Sequence, residues 1–206
     1  MSRLIAFGCS ITYGEGLDDC WNAPDPGPVP SKFAWPALLG THLNKEVVNL
    51  GIPGASNKHI WHTILNTSIK STDTVVILWT HSARSCIIKS KEHVNRLLPS
   101  DATPNKGLLS ERVKRNKHYY KKLYNNYDAE MDSITRINYI NYYLTRKAIS
   151  SYHFISERQE HQYNWNETNI PLVCPDRENF GFALDGMHPG KLSQEFMSNK
   201  MLSNIN

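Results

Sequence analysis

Residues 4–14 read LIAFGCSITYG, an apolar run that ends at a glycine and leads directly into a serine-containing turn. Its first four residues form a short, continuously apolar run, which is typical of a strand buried inside a parallel sheet. Gly8 and Gly14 permit a tight turn from this strand into a helix. Such a turn exposes the hydroxyl of Ser10 and aims its backbone N–H at a pocket, near a helix N-terminus that favours negative charge.

A second segment, TVVILW at residues 74–79, is the clearest strand of the chain. It is continuous, β-branched and without polar alternation, so we expect it to be buried on both faces. Another strand is predicted over Glu46–Leu50. Helices are predicted between these strands, one from Ser31 and one capped by Ser56 or Asn57. This succession of strands and helices predicts a doubly wound parallel α/β sheet.

The rest of the chain has weaker patterns. The proline-rich residues 22–30 predict a loop close in sequence to the serine turn, because proline removes backbone donors and fixes φ. Residues 108–149 are polar but mostly helical in pattern, residues 150–156 form a weakly marked strand, and residues 157–182 resemble a loop. A closing helix is predicted over residues 192–205, with three side chains facing the core: Leu192, Phe196 and Met197.

Size and composition favour one soluble globular domain. The chain has 206 residues, with 40% hydrophobic and 20% charged residues. No apolar stretch approaches the roughly 20 residues that span a bilayer, and the N-terminus lacks a signal-peptide pattern. We therefore expect a cytoplasmic protein. Free thiols are expected in that reducing compartment, since the four cysteines are scattered without a C-x-x-C pair: Cys9, Cys20, Cys86 and Cys174.

The positive charge is mild, with a formal net charge of +4. Much of the excess lies in residues 106–122, where tyrosines accompany the lysines and arginines. Such a segment could bind phosphate or nucleic acid. Acidic residues are interspersed or follow soon after, which favours the solvated face of a helix instead. Nucleic acid is therefore the less favoured partner.

A second motif lies near the other end, where residues 185–190 read DGMHPG. It places Asp185 three residues before His188 in a loop. Together with Ser10, these side chains provide a nucleophile, a base to take its proton, and an acid to orient that base. The other eight histidines fall mostly on polar helix faces or in loops. Three segments follow predicted strands: residues 8–10, 51–54 and 80–84. They should meet at one edge of the sheet, where open α/β folds bind ligands.

The quoted motifs resemble those of the SGNH/GDSL hydrolases. GCSITYG at residues 8–14 is similar to the first block of that family, NLGIPG at residues 49–54 to the second, and DGMHP at residues 185–189 to the last. WPALL at residues 35–39 fits the helix that follows the nucleophile. The resemblance implies a single domain over residues 1–206 with a flavodoxin-like, three-layer α/β/α fold, in which about residues 85–182 form an unmatched helical segment.

The resemblance also implies a chemistry. It assigns Ser10 as nucleophile, His188 as base and Asp185 as the group that orients the base. The reaction would be hydrolysis of a small-molecule or glycan ester, or a thioester, through an acyl-enzyme, without cofactor or metal. The backbone N–H groups of Ser10 and Gly54 would bind the oxyanion, and such donors commonly contribute about 3 kcal/mol each to transition-state stabilisation.

Two positions depart from the family pattern. Cys9 stands where an aspartate is usual, and residues 80–84 read THSAR where an asparagine is expected. Ser82 is nearest the expected position, and its hydroxyl could donate to the oxyanion. His81 or Arg84 could also reach it, and the Arg84 guanidinium could instead bind an anionic substrate group. Cys9 is interpreted as a small buried residue beneath the turn rather than as the nucleophile.

Two other functions are compatible with the same pattern. The scaffold could transfer an acyl group to an acceptor alcohol instead of water. It could also be a non-catalytic binding module, with the altered third block marking lost activity.

Overall fold

The computed structural model describes residues 2–21, 29–102, 111–156 and 170–205. Four parallel strands form the central sheet: β1 (Arg3–Gly8), β2 (Glu46–Gly51), β3 (Thr74–Trp79) and β6 (Ser150–Ile155). Their order across the sheet is β2-β1-β3-β6. β1 pairs with both β2 and β3, and β3 pairs with β6. The predicted doubly wound parallel sheet is confirmed, including its weakly marked last strand.

Helices flank this sheet and complete the three layers. They comprise α1 (Ser10–Tyr13), α2 (Asp18–Trp21), α3 (Trp35–His42), α4 (Asn57–Leu65), α5 (Glu111–Lys122), α6 (Asn126–Arg146), α7 (Arg177–Phe180) and α8 (Lys191–Ile205). α3 packs against α8, and α4 packs against α6. Every residue of β3 is buried, and the apolar side chains of β1 are fully buried beside it. Burial on both faces explains the unalternated apolar sequence of these strands.

The two predicted helices that follow β1 and β2 are present, with refined boundaries. α3 begins at Trp35 instead of Ser31, because Ser31 is held in a turn: its Oγ donates to Asp19 at 2.5 Å and accepts from the Phe33 N–H at 3.0 Å. The cap of α4 is Ser56, whose Oγ accepts from the backbone N–H of His59 at 3.2 Å.

The middle segment is not entirely helical. α5 and α6 confirm the predicted helical pattern over their lengths, but β4 (Ser85–Ile88) and β5 (Val94–Leu97) form an antiparallel hairpin that the sequence analysis did not predict. Each strand has four residues. Runs this short carry too little periodicity to distinguish a strand from a loop.

The closing helix α8 is present, but the expectation that Leu192 faces the core is wrong, since its exposed fraction is 61%. The buried stripe of α8 instead contains Ser193, Gln194, Met197, Ser198 and Met201. Leu192 is strongly apolar and so suggested a core position, but the buried stripe combines two methionines with two serines and a glutamine. Met197 is buried as predicted.

Gln194 also connects distant parts of the chain. Its Oε1 accepts from the backbone N–H of Trp35 at 3.0 Å, and its Nε2 donates to the carbonyl of Ile11 at 3.1 Å. These buried hydrogen bonds attach α8 to both α3 and α1. They therefore fix the C-terminal loop before α8 relative to the turn that carries Ser10.

Several predictions fall outside the described residues, in whole or in part. These are residues 22–28 of the proline-rich loop, residues 106–110 of the basic stretch and residues 157–169 of the loop-like stretch. Among the described helices, none combines the length and apolarity needed to cross a membrane. All four cysteines are free, in agreement with the sequence analysis.

Candidate active site

Ser10 is the first residue of α1 and follows β1 after a single intervening residue. Only 4% of its surface is exposed, and it lines a cavity of about 550 Å³. The turn beneath it requires glycine, because a Cβ at Gly8 would lie 2.0 Å from Thr12 Oγ1. Gly14 ends α1 at φ +83°, in the left-handed region that glycine adopts readily. Cys9 is buried directly before Ser10, as predicted.

Asp185 and His188 form the second part of the site. Asp185 Oδ2 lies 2.5 Å from His188 Nδ1, and its Oδ1 accepts the backbone N–H groups of Met187 at 2.9 Å and His188 at 3.0 Å. Burial raises the pKa of Asp185, but the hydrogen bonds from the backbone and ring of His188 and from Met187 outweigh it, so this pKa lies below its ordinary value. The carboxylate is therefore held ionised beside the imidazole.

Gly16 makes room for this carboxylate. A Cβ at Gly16 would lie 2.6 Å from Asp185 Oδ2, and the backbone there has φ +84°. The carbonyl of Gly16 accepts the N–H of Leu184 at 3.0 Å, which attaches the loop of Asp185 to the segment after α1. Gly16, two residues after the glycine that ends α1, therefore helps to position the acid.

His188 lines the same cavity as Ser10. Its Nε2 lies 3.5 Å from Glu15 Oε2, and within the described ranges no hydrogen bond joins it to Ser10. Hydrogen bonds between catalytic groups are often long in unliganded sites and shorten when substrate binds. The structure therefore brings Ser10, Asp185 and His188 to one site, in which Asp185 and His188 are hydrogen-bonded to each other.

Gly54 also lines the cavity, with φ +70°. Its segment is attached to the serine turn by Asn49, whose Nδ2 donates to the carbonyl of Thr12 at 2.7 Å and whose Oδ1 accepts from the Gly51 N–H at 2.9 Å. A Cβ at Gly51 would lie 2.5 Å from the backbone N of Tyr13. The second block therefore packs backbone to backbone against the nucleophile turn.

The segment after β3 forms a further wall. Thr80, His81 and Arg84 line the cavity, whereas Ser82 is 6% exposed and is not among the lining residues. Of the three predicted candidates for the missing third-block donor, His81 and Arg84 thus reach the cavity. The donor role of each stays a prediction.

Asn57 is a site-supporting residue that the sequence analysis treated only as a helix cap. Its Oδ1 accepts the backbone N–H of Thr80 at 2.8 Å, and its Nδ2 donates to the Thr80 carbonyl at 2.9 Å and to Ser133 Oγ at 3.2 Å. All three groups are buried. The side chain at the start of α4 therefore fixes the first residue of the wall after β3.

Other cavity residues were not identified from sequence. They are Glu15, Arg96, Arg112 and Arg177, together with smaller side chains. Arg96 comes from the hairpin that sequence periodicity did not reveal, so no local signal places it here. Among the described residues, no group of three or more His, Cys, Asp or Glu side chains could hold a metal ion.

Comparison with solved structures shows the fold of this chain. It superimposes on a protein of the G-D-S-L lipolytic family from Desulfitobacterium hafniense with a TM-score of 0.53 and 15% identity, over 100% of both chains. An acetyl xylan esterase from Butyrivibrio proteoclasticus gives a TM-score of 0.54 at 12% identity, over 99% of this chain and 63% of the other. Phospholipase A1 from Streptomyces albidoflavus gives 0.50 at 13% identity, over 100% and 99%.

These likenesses confirm the fold predicted from the sequence blocks: the chain has the SGNH hydrolase fold. The sequence itself matches no protein-family model and no curated protein.

Proposed function

We propose that this protein is a serine esterase that hydrolyses carboxylic esters through an acyl-enzyme. The observation that carries the proposal is that His188, hydrogen-bonded to Asp185, lines the same cavity as Ser10 at the carboxyl edge of a parallel sheet. A serine hydroxyl needs a base to become an effective nucleophile, and an imidazole oriented by a carboxylate is such a base.

In the first half-reaction, Ser10 Oγ forms a bond to the carbonyl carbon of the ester while His188 Nε2 takes its proton. Asp185 holds the proton on Nδ1 and stabilises the imidazolium. The tetrahedral intermediate then expels the alcohol, which receives the proton from His188. In the second half-reaction, water attacks the acyl-enzyme and gives a proton to His188. The carboxylic acid leaves as Ser10 regains its hydrogen.

The negative charge that develops on the carbonyl oxygen needs donors. We assign this role to the backbone N–H groups of Ser10, at the start of α1, and of Gly54. His81 and Arg84 are the candidates for a third donor that line the cavity, and Ser82 is retained as the position indicated by the family pattern. Removing one donor of this kind typically lowers kcat by about 100-fold to 1,000-fold.

A panel of p-nitrophenyl esters of increasing acyl length, extended with acetylated xylan oligosaccharides, tests the proposal. The wild-type protein should hydrolyse at least one ester, and Ser10→Ala should abolish that activity. Ser203→Ala is the matched control, because Ser203 lies near the end of α8 and donates only to the carbonyl of Lys200. Equal hydrolysis by wild type and Ser10→Ala would contradict the assignment.

A further inference from the structure

The cavity that contains Ser10 is lined by arginines from separate parts of the chain: Arg84, Arg96, Arg112 and Arg177. Glu15 is the one carboxylate side chain among the residues that line it, and two histidines line it as well. The whole chain carries a formal net charge of only +4. Positive charge is therefore concentrated at this site, and clefts with charge of one sign attract ligands of the other.

Two of these arginines, Arg84 and Arg96, form hydrogen bonds within the described parts of the chain. Arg84 Nη1 donates to Thr80 Oγ1 at 3.2 Å, and Arg96 Nη1 donates to the carbonyl of Pro53. Both partners are neutral, and within the described parts of the chain neither guanidinium forms an ion pair with a carboxylate. Both side chains are only partly exposed. A partly buried guanidinium without a counter-ion gains more from an anionic ligand than one already paired.

The backbone that carries these arginines is held in place by the β4–β5 hairpin and by Tyr120. Arg84 directly precedes β4, and Arg96 pairs with Cys86 in the β4–β5 hairpin. The hydroxyl oxygen of Tyr120 lies 2.8 Å from the carbonyl oxygens of both Ala83 and Leu97, the chain neighbours of the two arginines. One side chain from α5 therefore holds both ends of the hairpin next to the cavity.

Arg96 also lies beside the proposed oxyanion site. Its Nη1 would be 3.5 Å from a Cβ at Gly54, and the arginine contacts the carbonyl of the preceding residue, Pro53. Its guanidinium is thus positioned to meet substrate atoms close to the reacting carbonyl. Arg84 lines the same cavity from the segment after β3, directly before β4.

We propose that the substrates of this site are anionic esters, in which the acyl or the alcohol part carries a carboxylate or phosphate bound by Arg84 and Arg96. This inference rests on the proposed esterase function and specifies its substrate class. A guanidinium presents paired N–H donors that match the oxygens of either anion. The charged group sets specificity, while Ser10 and His188 perform the bond exchange.

Two pairs of esters test the proposal and separate the location of the charge. The mono-p-nitrophenyl ester of glutaric acid and p-nitrophenyl valerate share chain length and leaving group, and differ in an acyl-side carboxylate. p-Acetoxyphenyl phosphate and p-acetoxyanisole differ in a phosphate on the alcohol side. In at least one pair, kcat/KM should be about tenfold or more higher for the anionic ester.

Arginine variants then test which side chain binds the anionic group of the substrate. Arg84→Gln or Arg96→Gln should lower the anionic-to-neutral ratio of kcat/KM about tenfold, and the corresponding lysine variants should restore part of it. Arg146→Gln is the matched control, because Arg146 is exposed at the end of α6, outside the residues that line the cavity. Equal or faster hydrolysis of the neutral ester in both pairs would overturn the proposal. An arginine variant that lowers kcat/KM by the same factor for the anionic and the neutral ester of a pair would also overturn it.

A binding measurement distinguishes failure of the esterase proposal from failure of the substrate-class proposal. If no ester is hydrolysed, the catalytic proposal fails, and the substrate-class proposal is decided by calorimetric titration of Ser10→Ala with glutarate and with phenyl phosphate. One of these anions should bind, and Arg84→Gln or Arg96→Gln added to Ser10→Ala should weaken its affinity about tenfold. Absence of binding, or binding unchanged by both arginine variants, would overturn the proposal.

Discussion

Asp185 contacts His188 twice: its Oδ2 lies 2.5 Å from the ring Nδ1, and its Oδ1 accepts the backbone N–H of the same residue at 3.0 Å. The carboxylate therefore fixes both the ring and the backbone of the histidine. With Nδ1 directed at a carboxylate, the neutral ring carries its proton there and leaves Nε2 as the basic nitrogen. This is the tautomer that a general base for Ser10 requires.

Asp185→Asn should lower kcat by about 100-fold or more, because an amide can hold the ring but cannot stabilise the imidazolium. The asparagine oxygen can still accept the backbone N–H groups, so the midpoint of thermal unfolding should change little. Asp128→Asn, on the exposed first turn of α6, serves as control. Full activity of Asp185→Asn on the best ester would exclude Asp185 from catalysis.

Gly16→Ala should lower both activity and stability, because its Cβ would lie 2.6 Å from Asp185 Oδ2 at a residue with φ +84°. The matched control is Gly181→Ala, at φ +82° with no atom within 4 Å of the new Cβ. Both variants place a side chain at a positive φ, which costs roughly 1–3 kcal/mol, and at Gly181, with ψ 168°, no new side-chain contact adds to this cost. The additional loss of kcat in Gly16→Ala measures displacement of the acid. Equal kinetic parameters for both variants would show that the contact does not matter.

Asn57→Ala should impair the wall after β3. The substitution leaves the buried N–H and carbonyl of Thr80 without their side-chain partner, at a cost of about 1–3 kcal/mol in the free energy of unfolding. Kinetics measured well below the unfolding midpoint should show a raised KM, because His81 follows Thr80 directly and Arg84 donates to the Thr80 hydroxyl. Asn66→Ala removes only an exposed hydrogen bond to the His62 carbonyl and should leave KM unchanged. An unchanged KM in Asn57→Ala would refute the positioning role.

Asp73 determines part of the acid stability. Its hydrogen bonds with the Arg3 guanidinium lower the pKa of the Asp73 carboxyl from 3.8 to about 2, despite burial. A depressed folded-state pKa stabilises the protein above pH 4, and this contribution is lost as the pH falls toward 2. Asp73→Asn should therefore reduce the free energy of unfolding at pH 7 by roughly 1–2 kcal/mol, with the difference shrinking below pH 4.

Urea unfolding of wild type and Asp73→Asn at a series of pH values measures this difference. Glu111→Gln is the control, since the Glu111–Lys114 pair is exposed at the start of α5 and should contribute little. A stability difference between wild type and Asp73→Asn that stays constant from pH 7 to pH 2 would contradict the assignment.

The parts of the fold that could be predicted are those written locally in the sequence. β1 and β3 are continuous apolar runs because both faces are covered, and Ser10 follows β1 within a glycine-flanked turn. The Asp185–His188 pair lies within one loop, so its spacing alone made it visible. These local signals identified the sheet and the three candidate catalytic residues.

The remainder depends on contacts between distant residues. Arg96 reaches the cavity through a hairpin whose strands are too short for a periodic signal, and Tyr120 holds that hairpin from α5. Asn57 acts on Thr80, which lies 23 positions further along the chain. Leu192 has the composition of a core residue but falls off the buried stripe of α8. Such placements follow from tertiary packing and have no counterpart in local sequence.

We infer that Ser10 is an activated nucleophile. Intact-protein mass spectrometry after treatment with a fluorophosphonate probe tests this most directly, with peptide mapping to locate the adduct. We expect one covalent adduct on Ser10 in the folded protein and in Ser203→Ala, strongly slowed labelling in Asp185→Asn, and none in Ser10→Ala. Folded wild-type protein that stays unlabelled, or a Ser10→Ala variant that labels as fast as wild type, would show that Ser10 is not the activated nucleophile.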